Sequence, residues 1–288
     1  MVSILKILIL AVIQGACELL PVSSSAHVIV AEKLMGIDPA KPEMTLLLVM
    51  LHTGTMLAVI VFFWNSWRTN FFASSKAALG TVKLIIFATA ATGFVGLLLK
   101  VAIEKIILKG VSHPEIESLF GNLSLISAAL AAVGVLILWA GYQEGRSKSG
   151  NILNVKAACL IGMVQGLCLP FRGFSRSGAT ISTGLILGIE KKRLEDFSFA
   201  LAVVLTPPVI LMEAVRFLKA QHALGHHQGG GMIGLFLPSL IGMVLSFISG
   251  WLALKWLSSW LERGCWYIFG YYCLFASGTI FLLHCQGL

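Results

Sequence analysis

The 288-residue chain is 57% hydrophobic and only 12% charged, with a mean hydropathy of +0.90, whereas a soluble domain carries about 25% charged residues. This excludes an ordinary soluble enzyme and points to one integral membrane domain spanning residues 1–288, because no long hydrophilic block is present to fold apart from it. The net charge of +8 comes from Lys and Arg scattered through short loops, not from a basic stripe with interleaved aromatics, so anionic bilayer lipid is expected as a partner and nucleic acid is not.

The chain opens on "MVSILKILILAVIQGACELL", which has the outline of a signal peptide. The organised polar residues directly after it argue that it is retained. Residues 14–27, "QGACELLPVSSSAH", place a carboxylate, three hydroxyls and an imidazole in an apolar neighbourhood. Gln14 and Glu18 are four apart, so on a helix they share one face. A carboxylate at membrane depth is costly unless paired, metal-bound or wetted, which makes Glu18 a site residue. Pro21 ends the first helical piece, and Ser23, Ser24 and Ser25 supply hydroxyls where the next begins, the makings of an anion site at a helix start. His27 follows Ser24 by three positions, in reach as a base beside a nucleophile.

Six apolar stretches follow that are long enough to span, at about 45–64, 83–99, 119–141, 197–218, 233–256 and 265–284. Between the third and fourth lies a second polar knot, in the region 152–190. Here "FRGFSRSGAT" sets Arg172 and Arg176 among Ser175, Ser177 and Thr180, with Gly173 and Gly178 permitting close backbone approach. The guanidinium fork matches phosphate oxygens, and hydroxyls complete the cradle.

Shifting the chain by 151 positions lays Gln14 on Gln165, Gly15 on Gly166, Cys17 on Cys168 and Ser24 on Ser175. Both polar regions read as broken, re-entrant helical hairpins, tolerated at membrane depth where they face protein or a wet cavity. Three spans separate them, an odd number, so the second copy is upside down relative to the first. The predicted architecture is therefore an all-α polytopic membrane protein with six transmembrane helices and two re-entrant hairpins, in inverted repeats at 1–141 and 152–288, with a site where the broken helices meet. Loop cations divide eleven to eight, placing both termini outside.

A carboxylate, a hydroxyl or imidazole and a cationic cradle together suit phosphoryl transfer. A divalent ion at Glu18 would have hard oxygen ligands, hence Mg²⁺ or Ca²⁺. Elsewhere, six cysteines without CxxC spacing suggest neither zinc nor a disulfide framework. His222, His226 and His227 beside "QGGGM" read as a solvated loop, and "HTGT" at 52–55 as helix packing by small residues.

Together, "QGACELLPVSSSAH" and "GFSRSGATIST" closely resemble the two signature segments of the bacterial undecaprenyl-diphosphate phosphatases, the bacitracin-resistance family. "HTGTMLAVIVFFW" and "EDFSFALAVVLTPPV" extend the likeness across nearly the whole chain. The resemblance implies an inner-membrane enzyme that removes the terminal phosphate of a polyprenyl diphosphate, the lipid carrier of peptidoglycan synthesis. It also implies a metal site at Glu18 and Gln14, catalytic Ser24 and His27, and phosphate-binding Arg176 assisted by Ser175, Ser177 and Thr180. A homodimer is admitted.

Two departures stand out: Arg172-Gly173 replaces the Pro-Gly common in the family, and Gln14 stands where Glu or Gln occurs. Ser24 attack with His27 as proton acceptor is favoured over attack by His27 or by metal-bound water. The competing function is a transporter or flippase of polyprenyl phosphate lipids, which needs the cradle but no nucleophile. A second lipid phosphatase superfamily is disfavoured because its closing His is missing downstream of Arg176.

Overall fold

The computed structural model describes residues 3–38, 42–107, 119–144, 150–223 and 232–288. Among these the chain is all-helical, without strands. In order come α1 (Ile4–Leu19), α2 (Ser24–Leu34), α3 (Pro42–Asn70), α4 (Ser75–Ala102), a π-helical turn (Ile103–Ile107), α5 (Leu123–Glu144), α6 (Val155–Leu167), α7 (Arg176–Ile186), α8 (Lys191–Ala223), α9 (Met232–Glu262) and α10 (Tyr267–Cys285). Six of them, α3, α4, α5, α8, α9 and α10, are long and apolar enough to cross a membrane; α3, α4, α8 and α9 contain the apolar runs read from the sequence, while α5 and α10 begin four and two residues inside theirs. The protein is a multi-pass membrane protein.

Local sequence sets several helix starts. Ser74 accepts from the Ala77 amide, Asn122 from Leu125 and Asn154 from Ala157, each at 3.0–3.2 Å, so one otherwise orphaned donor is satisfied per helix. Pro207 and Pro208 lie inside α8 and Pro238 inside α9 without ending them, as membrane helices tolerate when neighbours re-satisfy the freed carbonyls.

The short helices pair as hairpins. Lys6 Nζ near the start of α1 donates to Met35 O just after α2 at 2.6 Å. In the second pair, Asn151 before α6 donates its side chain to Leu187 O after α7 at 2.7 Å, and its amide to Gly188 O at 3.1 Å. Each hairpin thus has both open ends together and its tip elsewhere.

Long helices seat these hairpins. α1 packs along α9, α6 along α4, and α5 along α10, while α3 contacts both α8 and α9. The seats are close because they use glycine. A Cβ on Gly15 would lie 2.5 Å from Ser246 O, on Gly162 2.2 Å from Ala88 O, on Gly166 2.9 Å from Thr92 O and on Gly54 2.3 Å from Met243 O. Gly54 therefore does what the "HTGT" stretch suggested, joining α3 to α9, while Thr53 and Thr55 bond back within their own helix. The six cysteines are unpaired. His226 and His227 lie outside the described residues.

Candidate active site

The two hairpin tips meet. Ser177 Oγ of α7 donates to Leu20 O at the end of the first hairpin's leading arm, 3.2 Å away, and Cys273 Sγ of α10 lies 3.3 Å from Pro21 O. This contact brings the N-termini of α2 and α7 beside Glu18, the penultimate residue of α1. Two helix starts and one carboxylate therefore share a single place in the protein.

Glu18 is the hub. Its Oε2 accepts from Ser24 Oγ at 2.5 Å and from Gln14 Nε2 at 3.2 Å, and its Oε1 lies 3.7 Å from Arg176 Nη2. The helical spacing of Gln14 and Glu18 thus does converge their polar ends. Arg176 opens α7 directly after its cap, Ser175, whose Oγ accepts from the Gly178 amide at 3.2 Å. The second guanidinium nitrogen, Nη1, is buried without a hydrogen-bond partner. A buried, unsatisfied cationic donor is costly, so this atom marks where an anion belongs.

His27 is held differently from the expectation. Both residues are on α2, but side chains on a helix lean toward its N-terminus, so Ser24 reaches back to Glu18 while His27 curls onto Ser23. His27 Nδ1 is 2.8 Å from Ser23 O and Nε2 is 2.8 Å from the hydroxyl of Tyr272 on α10. Ser23 has φ +66°, the left-handed region that a non-glycine residue seldom adopts, which turns its carbonyl toward the imidazole.

The hydroxyls divide into two sets. Ser24, Ser25 and Gln14 line a cavity of about 410 Å³; Ser25 Oγ also pairs with Ser23 Oγ at 3.3 Å. Ser177 and Thr180 face protein instead of that cavity. Thr180 is fully buried and bonds Ser198 Oγ at 2.6 Å and Arg176 O at 2.9 Å, and Ser177 ties the hairpin tips. In this arrangement they and Ser175 hold the first turn of α7, where Arg176 stands. Arg172 is on the cavity wall, with its guanidinium 4.5 Å from the ring centroid of Phe120.

Three participants escaped the sequence reading. Glu32, buried with one carboxylate oxygen unpartnered, lines the same cavity, and the rule that singled out Glu18 applies equally to an acid inside "HVIVAEKL". Phe120 and Tyr272 carried no such signal, being aromatics in apolar stretches.

Whether a divalent cation suits this site can be judged from its donors. Glu18 offers a carboxylate and Gln14 an amide oxygen on one helix face beside the cavity, yet among the described residues no cluster of three His, Cys, Asp or Glu forms a protein cage. That set fits a hard cation of the Mg²⁺ type, which takes one or two carboxylates and completes its shell with substrate phosphate and water.

Comparison with known proteins agrees over the whole chain. Residues 7–279 match the family described as bacitracin resistance protein BacA. An undecaprenyl-diphosphatase 2 of Acinetobacter baylyi is 57% identical over 281 residues, covering 98% of each chain. An undecaprenyl-diphosphatase 2 of Burkholderia ambifaria is 33% identical over 97% of this chain and 96% of its own, and an undecaprenyl-diphosphatase of Bacteroides fragilis 30% identical over 92% of each. With both hairpin tips, five of the six spans and most of the sixth inside the matched region, the chain belongs to the BacA family of bacitracin resistance proteins.

Proposed function

We propose that the protein hydrolyses undecaprenyl diphosphate to undecaprenyl phosphate and inorganic phosphate in the bacterial inner membrane, recycling the carrier lipid of peptidoglycan synthesis and so conferring bacitracin resistance. The observation that carries this is the Ser24–Glu18 pair beside Arg176, whose Nη2 lies 3.7 Å from Glu18 and whose Nη1 is buried without a partner. A nucleophile, its base and an anion donor converge there, and a flippase needs only the last. The printed names of the relatives support the same substrate.

The terminal phosphate sits against Arg176 and the start of α7, with the α2 N-terminus on its other side. Ser24 Oγ attacks phosphorus as its proton passes to Glu18, the P–O bond to the lipid phosphate breaks, and undecaprenyl phosphate leaves. Water then attacks the phosphoserine, giving a proton to His27, while Glu18 returns its proton to the departing Ser24 oxygen. Phosphate is released, and His27 loses its proton to solvent. Proton acceptance from Ser24 thus falls to Glu18, not to His27 as the i, i+3 spacing suggested. Glu18 and Gln14 would hold a divalent cation, which would neutralise charge that develops on the diphosphate.

The cavity accounts for the lipid. Its walls between α2, α3 and α8 are apolar, with Val28, Ile29, Leu48 and Val209 among them, a fit for the first prenyl units of a tail that continues into the bilayer. Lys33, on this wall, donates to the C-terminal residue's carbonyl, Leu288 O, at 3.0 Å, so the cavity opens on the side of the chain termini. With that side outside, substrate comes from the outer leaflet.

An inverted repeat underlies the site. Each hairpin's leading arm lies on a long helix of the other half, α1 on α9 and α6 on α4, and in both cases a matching glycine, Gly15 or Gly166, meets a carbonyl, that of Ser246 or Thr92. Ser127 Oγ donates to Ser277 O at 3.0 Å and Ser277 Oγ to Ser127 O at 2.8 Å, a reciprocal exchange between α5 and α10 one position off the 151-residue shift, of the kind a pseudo-twofold contact gives. The adjacent open ends of each hairpin support re-entrance.

The test is phosphate release from undecaprenyl diphosphate in detergent, with and without EDTA, by the parent and by Glu18→Ala, Ser24→Ala and Arg176→Ala. Falls of about a hundredfold, or ~2.7 kcal/mol of transition-state stabilisation each, are expected, with activity lost in EDTA. A folded parent that binds the lipid and releases no phosphate with any divalent ion would return the transporter to first place.

A further inference from the structure

We propose that Tyr272 is a positioning residue of this site: its hydroxyl fixes His27 with Nε2 as the unprotonated nitrogen. The inference rests on the hydrolase function proposed above and extends it to a helix that no motif of the sequence connects with catalysis.

The logic is one of donors and acceptors. Ser23 O, 2.8 Å from His27 Nδ1, is a carbonyl and only accepts, so Nδ1 carries the ring proton. In the neutral ring Nε2 is then an acceptor, and the group 2.8 Å from it, the Tyr272 hydroxyl, is its donor. The two rings also stack, with centroids 5.7 Å apart and an interplanar angle of 14°. Two hydrogen bonds and one ring face leave the imidazole no other placement of its proton and little freedom to rotate.

Tyr272 is suited to this by where α10 runs. Cys273, the next residue, touches Pro21 O at the first hairpin's tip, so the helix that delivers the phenol is anchored to the backbone that His27 grows from. Tyr272 itself is 43% exposed. Its ring, stacked on the imidazole, covers one face of it. Nε2 is thereby held as the basic nitrogen of the resting ring, and in the second step the attacking water takes the phenol's place as its donor, with tautomer and ring orientation already set before substrate arrives.

The variant Tyr272→Phe keeps the stacked ring and removes the donor. Its kcat on undecaprenyl diphosphate should fall about tenfold or more, with KM changed by less than about twofold, since substrate contacts remain. Tyr271→Phe, whose lost hydroxyl pairs only with Tyr142 at 2.7 Å among the described contacts, is the control and should match the parent.

Imidazole ¹⁵N spectra of histidine-labelled protein, with His27 identified by its loss in His27→Asn, supply a second readout. The parent should show protonated Nδ1 and hydrogen-bonded, unprotonated Nε2, and the Nε2 signal should move in Tyr272→Phe. Unchanged kcat and an unmoved Nε2 signal would overturn the proposal, as would a parent carrying its proton on Nε2. Should the parent prove unable to release phosphate, the hydrolase function fails, and the nitrogen signals alone decide whether Tyr272 holds His27.

Discussion

At the scale of single residues, the site depends on charges that are useful only together. Arg176 has one nitrogen near Glu18 and another with nothing to bind, so Arg176→Lys, a point charge without the fork, should lose most of the effect of the cation. A fall of tenfold or more in kcat/KM is expected, about 1.4 kcal/mol or greater. Gln14→Glu restores a second carboxylate beside Glu18; the divalent ion concentration for half-maximal activity should drop, read from a metal titration of phosphate release. Much of this was legible, because Gln14, Glu18, Ser24 and Arg176 are polar residues whose presence in an apolar setting needs a reason. The partnering was not. Ser24 and His27 are three apart in sequence, yet they turn to Glu18 and Tyr272, and the second partner lies on the last helix. Spacing along a helix shows which side chains share a face, not which neighbours the rest of the fold will bring.

At the scale of elements, the seats of α1 and α6 turn on glycine. Gly162→Ala would drive a methyl to within 2.2 Å of a backbone carbonyl of α4, so an overpacking cost of about 1–3 kcal/mol is expected. Gly80→Ala and Gly93→Ala, where nothing lies within 4 Å, should be neutral. Thermal unfolding in detergent separates the two outcomes. Span positions were readable since hydropathy reports directly on what a bilayer accepts, and α3, α4, α8 and α9 run past their apolar stretches at both ends because polar turns can continue a helix into the headgroups. Which helix seats which hairpin was not, for a glycine in an apolar run looks the same whether it meets a carbonyl or lipid.

At the scale of the whole molecule, the two halves meet through Ser127 and Ser277. Because each donates to the other's backbone, a double-mutant cycle with Ser127→Ala and Ser277→Ala should give a coupling of about 0.6 kcal/mol, the usual size for interhelical hydrogen bonds in membranes. Orientation has natural probes. Cys285 is exposed at the end of α10, while Cys265 lies between α9 and α10 at its opposite end. A thiol reagent that does not cross membranes should modify Cys285 in intact spheroplasts and Cys265 only in inverted vesicles; the reverse pattern would place the cavity's mouth in the cytoplasm. A few matched letters in two polar knots suggested a repeat. How the helices of the two knots would pack on the rest of the chain was not legible, since neither set of letters says where the other will lie.

That packing sets an order of events during synthesis. Glu18 enters the membrane among the first residues made, and Arg176, its counter-charge, belongs to the other half. At roughly 5–20 residues per second, a ribosome needs on the order of ten to thirty seconds to reach it. Tyr272 comes later still, in the last helix. Throughout that interval the first hairpin is an unfinished piece with a carboxylate among lipids, dependent on the insertion machinery or on water for shelter. A chain that stalls before α7 is thus not half an enzyme but a substrate for quality control.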